Sequence, residues 1–505
     1  MTMDKFLESP WATSHAAYDQ SSFNIRPAPE FATAEVIVAA TYRSCGFEGY
    51  GEAGVPDAGR RLDKASKKKS RGSGTSHISD ETWRTILHSA LQSPKQPKQS
   101  SRRFLQLSPI VPDVALYSGS ARLTRNSWPA GELVERMVRM GCASENASQA
   151  LWGELYQGLS VNGDDDVWAR WLQGEFQRRR LDDVKWQATE LKVRSSIPHE
   201  EKSGLHAPAM QFTRDLSAIL RAKPCMTRRQ WISLLESVLR IGAVAHVLWL
   251  CGVNDRLWRD TIRVLEGGAA LSSAELKDSI VTGRNQFLRY GEPALPIIRD
   301  LASRYLASRL GMNLLLWQLE ALGSPVKSLS SIEELAKLSR VVQQRREDLT
   351  PSALLERYHS LMDQQARTLN CRKGIGSNLI EFCRHTLGQR RTADENLRGY
   401  DQGYELRKRA DYESAPWVVS LGPVALLALV HCCLEEVKGP RSVQRLCEHL
   451  AWYGLEVNQD DVAKNDLGRS LRMLGIVLDS PDAESGMLLI PPFESMRAAT
   501  GGSSE

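Results

Sequence analysis

From Trp128 onward, apolar residues recur three and four positions apart: Leu133, Met137 and Met140, then Leu151, Trp152 and Leu155, then Trp231, Leu234, Leu235, Val238 and Leu239, then Ile297, Ile298, Leu301 and Tyr305. That period puts them on one face of an α-helix, and it predicts a mainly α chain. No fixed interval separates one such segment from the next, so the pattern is not that of a named solenoid. The chain has 505 residues, enough for about three domains, so a multidomain helical protein is expected. Helix-start chemistry agrees: Ser79 can cap a helix carrying Asp80 and Glu81 in its first turn, Ser331 with Glu334 makes a capping box, and Pro351 suits a first turn.

Hydrophobic residues make up 42% and charged residues 25%, ordinary globular usage that argues against wholesale disorder and against a polytopic membrane protein. Trp417 to Leu434 is the one run of membrane-like length, but Ser420, Gly422, Pro423 and His431 interrupt it, so a buried helix is expected and no membrane partner. Nine cysteines without a CxxC pair fit reduced thiols. The first twenty residues carry Asp4, Glu8 and Asp19 and no apolar run, so no signal peptide is visible. A cytoplasmic location is the expectation.

The net charge is +5, yet residues 51 to 110 alone hold 12 Lys/Arg against 5 Asp/Glu, a local +7. Within them Arg60 to Ser73 offers only Leu62 and Ala65 as apolar residues, so a poorly ordered basic arm is expected there, with Lys67, Lys68 and Lys69 as phosphate contacts. The expected divisions are an N-terminal region (1–127) containing that arm, a helical part (128–371), a basic helical segment with the buried helix (372–441), a small C-terminal module (442–493) and a flexible tail (494–505).

The common catalytic signatures are missing. No GxxxxGK[ST] loop occurs, and Gly374-Ile-Gly376 lacks the lysine a phosphate loop needs; no GxSxG elbow or HExxH helix is present. Cys383, His385, His431, Cys432, Cys433, Cys447 and His449 suggest zinc, but residues two apart on a helix diverge by about 200°, so buried thiols are the better reading. Asp164, Asp165 and Asp166 before Val167 read as a helix cap and not as a calcium loop. In KWQATELKVR, Glu190 and Lys192 would share a face of a strand, with Asp182 or Asp183 upstream. Divalent-metal nucleases of the PD-(D/E)xK kind use such a set, which leaves Asp183, Glu190 and Lys192 as catalytic candidates; a solvated helix face is the rival reading. No metal and no cofactor is expected.

Arg372 to Arg409 carries nine Lys/Arg against five acids. Arg390, Arg391, Arg407, Lys408 and Arg409 are candidates for phosphates, with Tyr400 and Tyr404, one helical turn apart, for stacking on unpaired bases. A solvated helical face is the alternative.

Further on, Ser442 to Trp452, Gln459 to Lys464 and Asp466 to Leu474 read as three helices, and Ile476 to Leu478 with Met487 to Ile490 as two strands joined by DSPDAESG. This order resembles a winged helix-turn-helix domain, most clearly in LGRSLRMLGIVLDSPDAESGMLLIPPF, and implies a small α+β module that reads DNA or docks proteins. Arg469 and Arg472 would be its DNA contacts. Residues 442 to 497 hold five Lys/Arg against nine Asp/Glu, a net of −4, which favours docking. The ending also resembles helical subunits of bacterial anti-phage defence and restriction operons. The resulting expectation is a non-catalytic, nucleic-acid-associated subunit of a multiprotein assembly, with other protein subunits and DNA or RNA as partners. A purely protein-binding helical scaffold and a metal-dependent nuclease are the alternatives.

Overall fold

The computed structural model describes residues 3–25, 34–50, 54–67, 78–93, 107–118, 130–180, 183–192, 197–202, 204–281, 288–390, 400–437, 439–479 and 487–493. The fold is mainly α. The helices before the central one are α1 (Met3–Glu8), α2 (Ala16–Asp19), α3 (Ala34–Gly46), α4 (Val55–Lys67), α5 (Asp80–Thr85), α6 (Ala130–Gly141), α7 (Glu145–Leu159), α8 (Val167–Arg178) and α9 (Pro208–Ala222). The central helix is α10 (Arg228–Leu265), followed by α11 (Ser273–Val281), α12 (Leu295–Ala321), α13 (Ile332–Gln344), α14 (Arg346–Leu349), α15 (Pro351–Gln364), α16 (Ala366–Leu369) and α17 (Gly374–Leu387). Last come α18 (Pro423–Leu434), α19 (Gln444–Trp452), α20 (Gln459–Val462) and α21 (Asp466–Met473).

Helix α10 organises the rest because it is apolar on every side. From Trp231 to Leu250 nearly every residue is buried, against α3, α6, α9, α12, α17 and α18. A helix apolar all round belongs in a core or a membrane. Among the described residues, α10 alone is long and apolar enough to cross a membrane, and that window is wholly buried within the protein. Its start is fixed by Thr227 and Gln230, which form a reciprocal capping box.

Residues 3–25 run across α10, α12, α13 and α15 as a strap. Trp11 Nε1 donates to Gln365 Oε1 (2.7 Å), the His15 N–H to Asn313 Oδ1 (2.7 Å), Tyr18 OH to Asn254 Oδ1 (2.8 Å) and Ser21 Oγ to Leu329 O (2.9 Å). Phe6, Tyr18, Phe23 and Ile25 are buried in the same core.

A second, smaller core gathers Phe47, Ala58, Leu62, Trp83, Leu87, Leu107, Leu172 and Phe176. It corrects the expectation of an arm without structure at Arg60: α4 runs through Lys67, and Ala58 and Leu62, one turn apart, pack inward. Two or three apolar side chains suffice when neighbouring elements supply the rest of the core. Lys68 and Lys69, with the remainder of the arm to Ser73, lie outside the described residues, as does the side chain of Lys67.

Among the described residues there are seven short strands: β1 (Leu288–Arg289), β2 (Leu406–Lys408), β3 (Trp417–Val419), β4 (Arg441–Ser442), β5 (Leu455–Glu456), β6 (Val477–Asp479) and β7 (Met487–Leu489). Trp417 to Leu434 is therefore a strand and then a helix, because Pro423 opens α18 at its first position. Strands β2 and β3 form an antiparallel hairpin, Tyr290 bridges to Val419, and β1 pairs in parallel with β5. This β clasp ties the C-terminal segment to the helical body. In that segment, β4, β7 and β6 make an antiparallel sheet in that order, beside α19, α20 and α21.

Candidate functional site

The stretch expected as a strand or a helix, Lys185 to Lys192, is neither. Its backbone is held by Gln187 and Thr189, whose N–H groups donate to Gly46 O (2.9 Å) and Cys45 O (3.0 Å) at the end of α3, and Trp186 packs on Phe47 and Tyr156. Asp183 and Glu190 are exposed along it, and Lys192 Nζ lies 3.6 Å from Glu48 Oε1. Neither the shared strand face nor the solvated helix face exists; Asp182 lies outside the described residues. Among the described residues no group of three or more His, Cys, Asp or Glu is placed to hold a metal.

The acidic turn caps a helix. Asp166 Oδ1 accepts from Ala169 N (2.9 Å) at the start of α8, while Asp165 binds Arg228 Nη1 (2.9 Å) and Lys223 Nζ (3.2 Å). Gly374 and Gly376 also have a structural use: the first adopts φ 56°, and a Cβ on the second would lie 2.1 Å from Thr368 O.

Of the Cys/His residues, Cys432, Cys433 and His449 line one cleft, and Cys383 lies on α17. Burial raises the Cys433 thiol to about 12 and Cys447 to about 11, and holds Cys432 well above the usual thiol range. Such groups stay protonated and are poor nucleophiles or ligands. His449 belongs to a buried cluster the spacing did not reveal. Asp215, fully buried on α9, accepts from Tyr453 OH (2.6 Å) and Gln211 Nε2 (2.7 Å), with His449 Nε2 at 2.9 Å. The other His449 ring nitrogen faces Gln211 Nε2 at 3.4 Å. Both nitrogens are engaged, and the imidazole braces α19 against α9. Gln211 and His449 of this cluster line that cleft, which encloses about 650 Å³, its open mouth included.

The expected nucleic-acid residues fare unevenly. Residues 400–405 are not helical, so Tyr400 and Tyr404 are not a turn apart on one face. Tyr404 is buried, and Tyr400 OH meets Arg229. Arg390 sits within a buried ionic node that its position in a basic run gave no sign of; burial and Arg240 push its guanidinium down to about 10. Arg391 lies outside the described residues. Lys408 Nζ is tied to the carbonyls of Tyr412 and Glu413. Arg472 makes a multidentate pair with Asp479, with three contacts between 3.0 and 3.1 Å. Arg407, Arg409 and Arg469 remain exposed.

No protein-family model matches the chain, and no curated protein matches it.

The ionic node is the most concentrated electrostatic feature described. Arg240 on α10 binds Asp401 (2.9 Å), Glu236 (3.3 Å) and Glu405 (3.4 Å), and its remaining N–H groups donate to the carbonyls of Thr386, Leu387 and Gly388 at the end of α17. Burial raises Glu405 well above the carboxylate range of 4.5 despite the attraction of Arg240. The folded chain therefore holds this proton more firmly than the unfolded chain, and stability drains away as pH climbs above 4.5. Glu405→Gln removes that loss. Chemical unfolding should show the variant gaining on the wild type between pH 4.5 and 8 and matching it near pH 4; a difference independent of pH would refute the assignment.

Proposed function

We propose that the chain is a non-catalytic subunit of a multiprotein assembly and that its C-terminal module docks another protein. The carrying observation is the exposure of Met473 (81%) on α21 and Leu478 (50%) on β6. The module does not need them for its own core, which Leu446, Leu450, Leu467, Leu471, Met487 and Leu489 fill. Leu478 stands opposite the half-exposed Leu488 in the register of β6 and β7, extending the apolar face. Exposed large apolar side chains grouped on one module support an interaction surface. The order α19, α20, α21, β6, β7 supports the winged-helix reading of this segment.

The net charge of −4 over residues 442 to 497 points to a partner that brings an apolar contact flanked by Lys and Arg. Nine cysteines without a CxxC pair support a reducing cytosol as the setting.

The test is photo-crosslinking in cells from an unnatural residue at position 473 or 478, with position 346 on α14 as control. A discrete adduct specific to 473 and 478 is expected, and Met473→Glu with Leu478→Glu should weaken its affinity by roughly 30-fold or more, the scale of an interface hot spot. The same adducts from all three positions would defeat the proposal.

A further inference from the structure

The hairpin β2–β3 ends in a turn that is tied from both sides. Lys408 Nζ donates to Tyr412 O (3.3 Å) and Glu413 O (2.8 Å), Arg409 N to Pro416 O (3.0 Å) and Ala415 N to Tyr412 O (3.1 Å). The turn nevertheless presents the Tyr412 side chain to solvent, 60% exposed. An aromatic ring carried outward on an ordered backbone gives up little further freedom when something stacks on it.

Alternation along β2 arranges the charges beside it. Leu406 is buried, and Lys408 lies 6.0 Å from the Trp417 ring, so Arg407 takes the other face of β2, and Arg409, exposed one residue past the strand's end, lies at most about 7 Å from it along the backbone. That separation is of the order of the distance between successive phosphates in an extended single strand. A third arginine joins them from the C-terminal module. Asp466 Oδ2 lies 3.8 Å from Arg407, and Asp466 Oδ1 lies 3.1 Å from Arg469, so one carboxylate is divided between two guanidinium groups on different elements. Arg409 has no ionic partner among the described residues. Three arginines against Asp466 leave +2 along the arginine row, while Asp411 and Glu413, which flank Tyr412 on the turn, balance it over the whole surface, so the phosphate attraction is local to the row.

We propose that this face binds single-stranded nucleic acid, with phosphates on Arg407, Arg409 and Arg469 and an unpaired base stacked on Tyr412. A duplex would keep its bases paired and inaccessible to the ring, whereas a single strand offers both phosphate and base face. Arg469 lies one turn from Met473 on α21, so this surface adjoins the apolar contact, and Arg407, Arg409 and Tyr412 on the hairpin are the residues whose variants distinguish the two.

Fluorescence anisotropy of the full chain with labelled oligodeoxythymidine and with labelled oligouridine, across a salt series, tests it. Arg407→Gln, Arg409→Gln and Arg469→Gln together should lower the salt slope by about two units, near 0.7 for each phosphate contact on a single strand. Tyr412→Ala should weaken binding by roughly 5- to 150-fold and leave the slope alone. Arg409→Gln, which breaks no ion pair, should by itself lower the slope by about 0.7 and serves as the variant least able to disturb folding. No binding of either probe at low salt, or slopes unchanged in these variants, overturns the proposal. So does Tyr412→Ala releasing a protein from the purified assembly while oligonucleotide affinity stays the same, which would assign the hairpin to a protein partner.

Discussion

Removing residues 3–25 should leave a chain that no longer holds its helical body together. The strap buries Phe6, Tyr18, Phe23 and Ile25, and at about 1.5 to 3 kcal/mol for each large side chain the loss is roughly 6 to 12 kcal/mol as an upper bound. That rivals the whole stability of a typical domain, about 5 to 15 kcal/mol. The cut also orphans Asn254 and Asn313, whose side chains accept from Tyr18, Ser14 and the His15 backbone. Circular dichroism on heating should lose its cooperative transition. A truncated chain that melts cooperatively within a few degrees of the full one would show that the strap merely rests on the body.

Arg240→Ala is the single substitution with the largest expected cost. It strips a buried cation from Asp401, Glu236 and Glu405 and leaves three carbonyls at the end of α17 without their donors. Breaking a buried ionic group by removing one partner costs about 3 to 5 kcal/mol, since the opposite charges stay behind. Adding Asp401→Asn and Glu236→Gln to the same chain should recover part of it, because the stranded charges go too. Urea titration of the single and triple variants decides this: a single variant within 1 kcal/mol of the wild type, on the order of a surface substitution, would contradict the role given to Arg240.

The helical body was legible because burial and period coincide. Trp231, Leu234, Leu235, Val238 and Leu239 repeat as a helix requires and are all buried in α10. Local chemistry was equally readable: Ser79, Ser331 with Glu334, and Asp166 cap the helices they precede. The ionic node was not, since Arg240 meets Asp401 across 161 positions and nothing nearby in sequence marks either as buried. Tyr400 and Tyr404 misled because a four-residue interval implies one face only inside a helix, and residues 400–405 are held in another conformation by Asp401 and Glu405. Tyr412, a lone aromatic among polar turn residues, and Met473, off the face shared by Leu467 and Leu471, were visible in principle. Exposure of a single side chain has no period to announce it.

The strap also sets the order in which the protein can be made. Its partners extend to Gln365, about 350 positions downstream of Trp11. At roughly 5 to 20 residues per second a ribosome needs on the order of 20 to 70 s to supply them. Until those partners are made, Phe6, Phe23 and Ile25 lack their complete groove, so a growing chain carries them as a sticky segment. Slower elongation lengthens this exposure, and holdase chaperones that shield short apolar segments should govern how much of the newly made chain reaches its folded form.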